Sequence, residues 1–311
     1  PDILETHKYP VAHTKAGGNV IPGQAPALAV ADTYDIAIPR KHTQPDAGSI
    51  PARVFVPHGE PPAAGWPCTI WYHGGGWVLG SIDTENSYCT HLADRAQCVV
   101  ITVDYRLAPE FPFPACVHDS FEALLYVMEN ASALGIDNTR VCLGGSSAGG
   151  NLTAVMCHRY AASPLARGLP PIRFQLMVVP VTDNSATGET QPSWAENALT
   201  PQLPAAKMVW YRKIYLPDAG ATLTDPESSP LFYPDESFRH VPPAFIAAAE
   251  CDVLRSEAEA YDAKLRANGV PSTLHVYKGV PHTAMVMNAR LTQGANLVRD
   301  TTAAVRAALH A

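Results

Sequence analysis

The stretch VCLGGSSAGGN, residues 141–151, sets four glycines around two serines between an apolar run and a helix-compatible run, NLTAVMCHRYAA. Gly145 to Gly149 match the pattern G-x-S-x-G, in which a strand turns so sharply into a helix that the central serine is held in a strained conformation. A Cβ atom at either flank would clash in so tight a turn. The stretch therefore predicts a strand, a sharp turn and a helix that together present Ser147.

A second glycine cluster, WYHGGGWVLG at residues 71–80, follows another apolar run. Three consecutive glycines cost conformational entropy and pack nothing, which indicates a need for bare backbone N–H groups. A serine that attacks a carbonyl creates an oxyanion, and each donor fixed in advance is worth about 3 to 4 kcal/mol in the transition state. We therefore predict an oxyanion hole made by the N–H groups of Gly74, Gly75 and Ala148.

The two residues that flank the glycine triplet receive separate interpretations. We expect His73 to brace the loop by hydrogen bonding rather than to act as a base. Trp77, beside the oxyanion loop, is predicted to contact substrate by narrowing the cleft.

A serine becomes a good nucleophile when an imidazole takes its proton and a carboxylate orients that imidazole. Asp252 follows the run PAFIAAAEC, and His282 follows STLHVYKGVP, so each lies just beyond a predicted strand, where catalytic loops gather. Rival groups such as Glu250 and His275 fall within strands. We predict Ser147, Asp252 and His282 as the catalytic residues.

The rest of the chain alternates strand-like and helix-like segments, which is typical of a doubly wound α/β fold. The predicted strands cover residues 33–40, 52–57, 67–72, 98–105, 140–145, 173–181, 243–250 and 272–277. The predicted helices cover residues 84–95, 113–129, 147–160, 254–268 and 283–309. From the third strand onward the runs are almost continuously apolar, which predicts a mostly parallel eight-stranded sheet. The first two strands lack an intervening helix and are expected to pair as an antiparallel edge.

Two stretches interrupt this alternation within a single domain, 1–311. Residues 1–32 show little periodicity, and residues 183–240 form a long insertion, so we expect both to build a cap over the ligand-binding end of the sheet. Within the insertion, residues 201–216 predict an amphipathic helix. Its large side chains are expected to pack the cap rather than touch substrate; they are Met208, Trp210, Tyr211 and Tyr215.

Composition excludes several other classes of protein. The net charge is −7 without a block of like charges, which argues against a nucleic-acid partner. No apolar run approaches the roughly 18 residues of a membrane span, and no basic and then apolar leader is present. We expect a soluble, cytoplasmic protein, although the chain begins at Pro1 rather than Met and a targeting segment could be missing.

Cysteine and histidine spacing gives no sign of a metal or a cofactor. The seven cysteines include no C-x-x-C pair and fall mostly in apolar runs, so we expect free, buried thiols. The chain has neither an H-E-x-x-H motif nor a G-x-x-x-x-G-K-[ST] loop. We therefore predict that the protein uses no metal and no cofactor.

Six motifs follow one another along the chain: HGGGW (73–77), DYRLAPEFPFPA (104–115), GGSSAGGN (144–151), SPLF (229–232), CDVLRSEAEAYDAKLRANGV (251–270) and GVPH (279–282). Taken together, they resemble the hormone-sensitive lipase family of α/β hydrolases. The resemblance implies an α/β hydrolase fold with a cap, and hydrolysis of short- or medium-chain carboxylic esters through an acyl-enzyme. It also implies that Tyr105 and Arg106 support the oxyanion loop from behind.

The chain departs from that family's pattern beside the predicted catalytic residues. Ser146 stands where the family commonly has aspartate, and Val253 where it often has proline. Further on, the family's Asp-Glu-Gly is replaced by residues 256–258, Ser-Glu-Ala, and its Gly-Phe after the histidine by residues 283–284, Thr-Ala. None of these changes removes a predicted catalytic group, but together they suggest an altered pocket.

Other functions stay open at this point. The same three residues would serve a biosynthetic tailoring hydrolase, a lactonase or an acyltransferase. A non-catalytic small-molecule receptor is disfavoured because His282 is present, and a peptidase because no site for a peptide amine is visible. The expected partner is a small-molecule ester, and a homodimer is possible.

Overall fold

The computed structural model describes residues 23–44, 47–216 and 218–311. Its sheet has eight strands in the order β1-β2-β4-β3-β5-β6-β7-β8. The strands are β1 (Asp32–Pro39), β2 (Ser49–Val56), β3 (Trp66–Tyr72), β4 (Val99–Val103), β5 (Ile136–Ser146), β6 (Phe174–Val178), β7 (Ala244–Cys251) and β8 (Ser272–Pro281). The predicted α/β hydrolase fold, with its mostly parallel eight-stranded sheet, is confirmed.

Strand direction follows the way in which the strands are connected. β1 and β2 pair antiparallel, and β2 also runs antiparallel to β4, whereas β3 to β8 are parallel to one another. Every residue of β3, β4 and β6 is buried, because helices cover both faces of the central sheet. The edge strand β1 is largely exposed.

Nine α-helices occur in the described ranges. They are α1 (Asn86–Ala96), α2 (Ala115–Glu129), α3 (Ala148–Ala162), α4 (Pro192–Glu196), α5 (Ala205–Tyr215), α6 (Ala219–Thr222), α7 (Asp235–Phe238), α8 (Arg255–Ala267) and α9 (Thr292–Leu309). α1 and α9 share one apolar cluster on one face of the sheet, while α2, α3 and α8 share the cluster on the other face. The sheet therefore lies between two apolar cores, one on each face.

The predicted helix over 283–309 is divided into two pieces. Ala284–Met287 form a 3₁₀ helix, and α9 begins at Thr292. The two pieces pack so closely that a Cβ on Gly294 would lie 2.3 Å from the carbonyl oxygen of Ala284. This contact turns the chain back over the sheet immediately after His282.

The insertion between β6 and β7 carries helices α4 to α7 and a 3₁₀ turn at Pro230–Phe232. The predicted contribution of residues 1–32 to a cap falls mostly on residues 1–22, which lie outside the described residues. Just after them, Leu28 donates its N–H to Thr90 Oγ1 in α1. That part of the N-terminal segment therefore packs along the first helix.

Two expectations from composition can be compared with the structure. All seven cysteines have free thiols, six of them buried and Cys251 partly so. None of the helices in the described ranges is long and apolar enough to cross a membrane.

Candidate active site

Ser147 sits in the sharp turn between β5 and α3 that the glycine pattern predicts. Its φ is +54°, a left-handed backbone conformation that non-glycine residues rarely adopt. The strain is held by the surrounding backbone, since the N–H of Ser147 donates to Val178 O at 2.8 Å. A Cβ on Gly149 would lie only 1.8 Å from the carbonyl oxygen of Tyr72, so glycine is required where α3 meets β3. The backbone therefore fixes the serine at the carboxyl end of the sheet.

The structure brings Ser147, His282 and Asp252 into one hydrogen-bonded chain. His282 Nε2 lies 2.9 Å from Ser147 Oγ, and His282 Nδ1 lies 2.7 Å from Asp252 Oδ2. Because the carboxylate accepts, Nδ1 carries the imidazole proton and Nε2 is free to accept from the serine. Asp252 is 1 % exposed, and its Oδ1 accepts the N–H of Leu254. The imidazole is therefore held in the tautomer and orientation that a general base needs.

The oxyanion loop differs from the prediction at one glycine. The N–H of Gly74 donates to Glu85 Oε1 at 3.3 Å and is therefore not a free donor. Within the described part of the chain, the N–H groups of Gly75, Gly76 and Ala148 have no acceptor. Gly75 and Gly76 both have positive φ, and a Cβ on Gly75 would lie 2.0 Å from Leu79 O. The free donors beside the serine are thus those of the second and third glycines and Ala148.

His73 braces the loop as expected. Its Nδ1 lies 2.7 Å from Gly74 O, its carbonyl accepts from Tyr105 Oη at 2.6 Å, and the two rings stack with centroids 4.3 Å apart. Burial lowers the pKa of His73 to about 4, so the ring is neutral at pH 7. Beside Tyr105, Arg106 pairs with buried Asp119 at 2.9 Å. The contacts of Tyr105 support the loop from behind, as the family resemblance implies, whereas Arg106 is paired with α2.

Trp77 lies elsewhere than predicted. Its side chain is 0 % exposed and stacks on Tyr215 of α5, with ring centroids 4.2 Å apart, so it does not line the cavity. The glycine turn that exposes the backbone N–H groups carries the following side chain inward, where it anchors α5 to the core. Trp77 is therefore a packing residue in this structure.

A cavity of about 410 Å³ opens over Ser147 and His282. Its wall is mostly apolar and includes Leu79, Met208, Tyr211, Met285 and Val286. Met208 and Tyr211 come from α5, so two of the side chains expected only to pack the cap also face the substrate space. The Tyr211 ring lies directly against the backbone of Gly76, since a Cβ there would be 2.5 Å from the ring.

The insertion also holds the loop that carries Asp252, which the sequence did not reveal. Ser193 Oγ donates to Val253 O at 2.6 Å, Asn197 Nδ2 donates to Asp252 O at 3.2 Å, and Thr200 Oγ1 donates to Cys251 O at 2.6 Å. Serine, asparagine and threonine in a polar insertion give no sign of this role until the partners are known. Residues 193–200 therefore brace the acid loop.

Glu257 connects the same region to the core. Its Oε2 accepts the N–H groups of Thr182 and Asp183 at 2.7 and 2.8 Å, and its Oε1 accepts from Trp194 Nε1 at 3.2 Å. The carboxyl group is fully buried, and burial raises the pKa of Glu257 to about 8, against the attraction of the Arg212 guanidinium.

This shift predicts a pH-dependent stability. Since the folded-state pKa lies above the ordinary value of 4.5, the folded protein binds the proton more tightly. The contribution of Glu257 to the free energy of unfolding is complete below the ordinary pKa of 4.5. It declines as the pH rises from there towards 8, by at most about 1.4 kcal/mol per pH unit. Urea unfolding of the wild type and Glu257→Gln across this range should give a difference that shrinks with rising pH. Parallel pH profiles would contradict the assignment.

No cluster of His, Cys, Asp and Glu in the described ranges could hold a metal ion. The site consists of a serine, an imidazole, a carboxylate and backbone N–H donors.

A family model described as "alpha/beta hydrolase fold" (Abhydrolase_3) matches residues 69–286, which include Ser147, Asp252 and His282. The chain belongs to the hormone-sensitive-lipase-like family of α/β hydrolases.

Relatives and solved structures agree with this family. The α/β hydrolase is 56% identical over 306 residues to the AB hydrolase superfamily protein C1039.03 of Schizosaccharomyces pombe, covering 98% of this chain and 89% of that protein. It is 35% identical over 257 residues to an ethyl acetate hydrolase of Pseudomonas putida, covering 83% and 78%. EstE1, a thermostable carboxylesterase from a metagenomic library, superposes with a TM-score of 0.80 at 35% identity, covering 90% of each chain. The α/β hydrolase is a carboxylic ester hydrolase.

Proposed function

We propose that this α/β hydrolase cleaves esters of short to medium acyl chains through an acyl-enzyme on Ser147, with His282 as general base and acid and Asp252 as its orienting carboxylate. The observation that carries the proposal is the hydrogen-bonded chain of 2.9 and 2.7 Å that joins these three side chains. The serine and imidazole also face the apolar cavity, where an ester would lie.

In the first half of the reaction, Ser147 Oγ attacks the ester carbonyl carbon while its proton passes to His282 Nε2. The carbonyl oxygen becomes an oxyanion, and the free N–H groups of Gly75, Gly76 and Ala148 are the donors available to it. The imidazolium is stabilised by Asp252. Collapse of the tetrahedral intermediate expels the alcohol, which takes the proton from Nε2.

In the second half, water enters as the nucleophile. His282 Nε2 takes a proton from the water as its oxygen attacks the acyl carbon, and a second oxyanion forms at the same donors. Breakdown of this intermediate returns the proton to Ser147 Oγ and releases the carboxylic acid. One set of residues therefore serves both acylation and deacylation.

We further propose that the insertion acts as a cap that limits the acyl chain. Tyr211 and Met208 of α5 close one side of the cavity, and its volume of about 410 Å³ suits a small ester. Hydrolysis of ethyl acetate by the named Pseudomonas relative supports this size class.

A series of p-nitrophenyl esters from acetyl to dodecanoyl tests the size limit. We expect kcat/KM to be highest between acetyl and hexanoyl and to fall for longer chains. The wall formed by α5 closes the cavity, so the end of a longer acyl chain would stay outside it, in water. Tyr211→Ala should move the optimum to longer chains, whereas the control Tyr126→Ala, in α2, should not. Faster cleavage of long-chain triglycerides with activation at an oil surface would instead indicate a lipase.

A further inference from the structure

A buried carboxylate lies behind the oxyanion loop, immediately before α1. Glu85 is 7 % exposed and lies outside the six motifs described in the sequence analysis. Its Oε1 lies 2.5 Å from Ser146 Oγ and 3.3 Å from the N–H of Gly74. Its Oε2 accepts from Trp71 Nε1 at 2.6 Å. One side chain therefore joins β3, the oxyanion loop and the turn that carries Ser147.

The two contacts of Oε1 connect the parts of the site whose spacing matters most. Gly74 begins the glycine triplet, and Ser146 directly precedes the nucleophile in the chain. Because both donate to the same oxygen atom, a shift of the loop relative to the nucleophile turn would break one of these hydrogen bonds. Misplacing the donors by even 1 Å lowers the rate of a positioned reaction greatly. Glu85 is thus placed to hold the loop and the serine in register.

The charge of Glu85 has no partner of the usual kind. No lysine or arginine in the described ranges lies within ion-pair distance of it. Burial raises the pKa of Glu85, while the three donors and the nearby imidazole of His282 act in the opposite direction. The other titratable groups that face it are Tyr88 and Cys89 on α1 and Tyr105 after β4, and each is neutral and buried. Glu85 and His282 line the same cavity, and His282 is the one group in this set on which a positive charge would be stabilised by Glu85.

We propose that Glu85 is a positioning residue that couples the oxyanion loop to the nucleophile turn and supplies a second negative charge for the imidazolium of His282. This proposal rests on the function proposed above for Ser147 and His282. Ser146 stands where the family commonly has aspartate, which would place a carboxylate on the nucleophile turn itself. In this chain the carboxylate beside the turn comes from residue 85 instead.

The test is a set of variants assayed with p-nitrophenyl butyrate between pH 5 and 9. Glu85→Gln keeps the size of the side chain but places a donor amide among three donors. We expect its kcat to fall about 10- to 100-fold with KM changed less than about threefold. We also expect the acidic limb of its pH–rate profile to move to lower pH, because the imidazolium loses a stabilising charge. Glu227→Gln, which removes a carboxylate paired with Arg159 away from the cavity, is the control and should leave kcat and the profile unchanged.

Moving the carboxylate from residue 85 to residue 146 tests whether Glu85 acts as a positioning residue or gives only structural support. Since Ser146 Oγ lies 2.5 Å from the carboxylate, an aspartate at position 146 would bring an oxygen to nearly the same place. The double variant Glu85→Gln/Ser146→Asp should have a kcat at least tenfold above that of Glu85→Gln. Its acidic limb should return towards the wild-type position. Glu85→Asp, a second conservative variant, should keep the profile of the wild type with a smaller loss of kcat.

Three results would overturn the proposal. They are a Glu85→Gln enzyme within twofold of the wild type, a loss of kcat without movement of the acidic limb, and a double variant without recovery. If Glu85→Gln fails to fold, the double variant decides the matter: a kcat within tenfold of the wild type with the wild-type acidic limb supports the proposal, and a folded double variant without that activity overturns it. Failure of the proposed function is distinguishable, because an organophosphate would then not label Ser147 in the wild type at all.

Discussion

Replacing Ser147 by alanine is expected to lower kcat for p-nitrophenyl butyrate by a factor on the order of 10⁶. The hydroxyl oxygen is the nucleophile of the proposed mechanism, and no second hydroxyl lies at hydrogen-bond distance from His282 Nε2 in the described part of the chain. The remaining oxyanion donors still accelerate attack by water somewhat, so a small residual rate should persist. Because alanine keeps the Cβ atom and the backbone hydrogen bond to Val178, the protein should fold normally.

Steady-state kinetics with mass spectrometry after organophosphate treatment measure this loss. The wild type should gain one adduct, located on the peptide that contains Ser147, and the alanine variant should gain none. Ser163→Ala, which removes a cap from a surface 3₁₀ turn, is a matched control and should retain full activity. Turnover by Ser147→Ala within tenfold of the wild type would remove Ser147 as the nucleophile.

Replacing His282 by alanine should produce a loss of similar size, because the serine then has no base to receive its proton. Labelling by the organophosphate provides a direct readout of this activation. In the wild type, labelling should be fast at pH 8. At acidic pH its rate should fall about tenfold per pH unit, as the imidazole becomes protonated. In His282→Ala it should be slow at every pH and lose that dependence.

His275, on the strand that precedes His282, offers a control. Its ring stacks on Tyr277 and does not line the cavity, so His275→Ala should leave labelling and turnover unchanged. Equal labelling of the His282→Ala protein would contradict the proposed base. Absence of labelling in the wild type would favour a receptor that binds a small molecule without turning it over.

Much of the fold could be predicted because local patterns decide it. Continuous apolar runs separated by amphipathic ones leave few alternatives to helices on both faces of a parallel sheet. The places of Asp252 and His282 followed from the same pattern, since the carboxyl ends of parallel strands meet at one edge. A sequence pattern thus places the backbone of a site well.

The directions of individual groups could not be predicted in the same way. Whether the N–H of Gly74 faces substrate depends on Glu85, and whether Trp77 lines the cavity depends on Tyr215, more than a hundred residues away. Glu85 itself has no motif, because its role comes from three donors on separate segments. Such contacts become visible only when the chain is folded.

The bracing of the acid loop by residues 193–200 has a consequence for protein engineering. Grafting a roomier lid from another esterase is an obvious route to bulkier substrates, but the insertion is not a detachable module. Its first part holds the carbonyl groups of Cys251, Asp252 and Val253, whereas α5 forms the wall of the cavity. A graft boundary after Thr200 would exchange the wall and preserve the alignment of the carboxylate with His282. A boundary at residue 183 would exchange both and cost turnover together with selectivity.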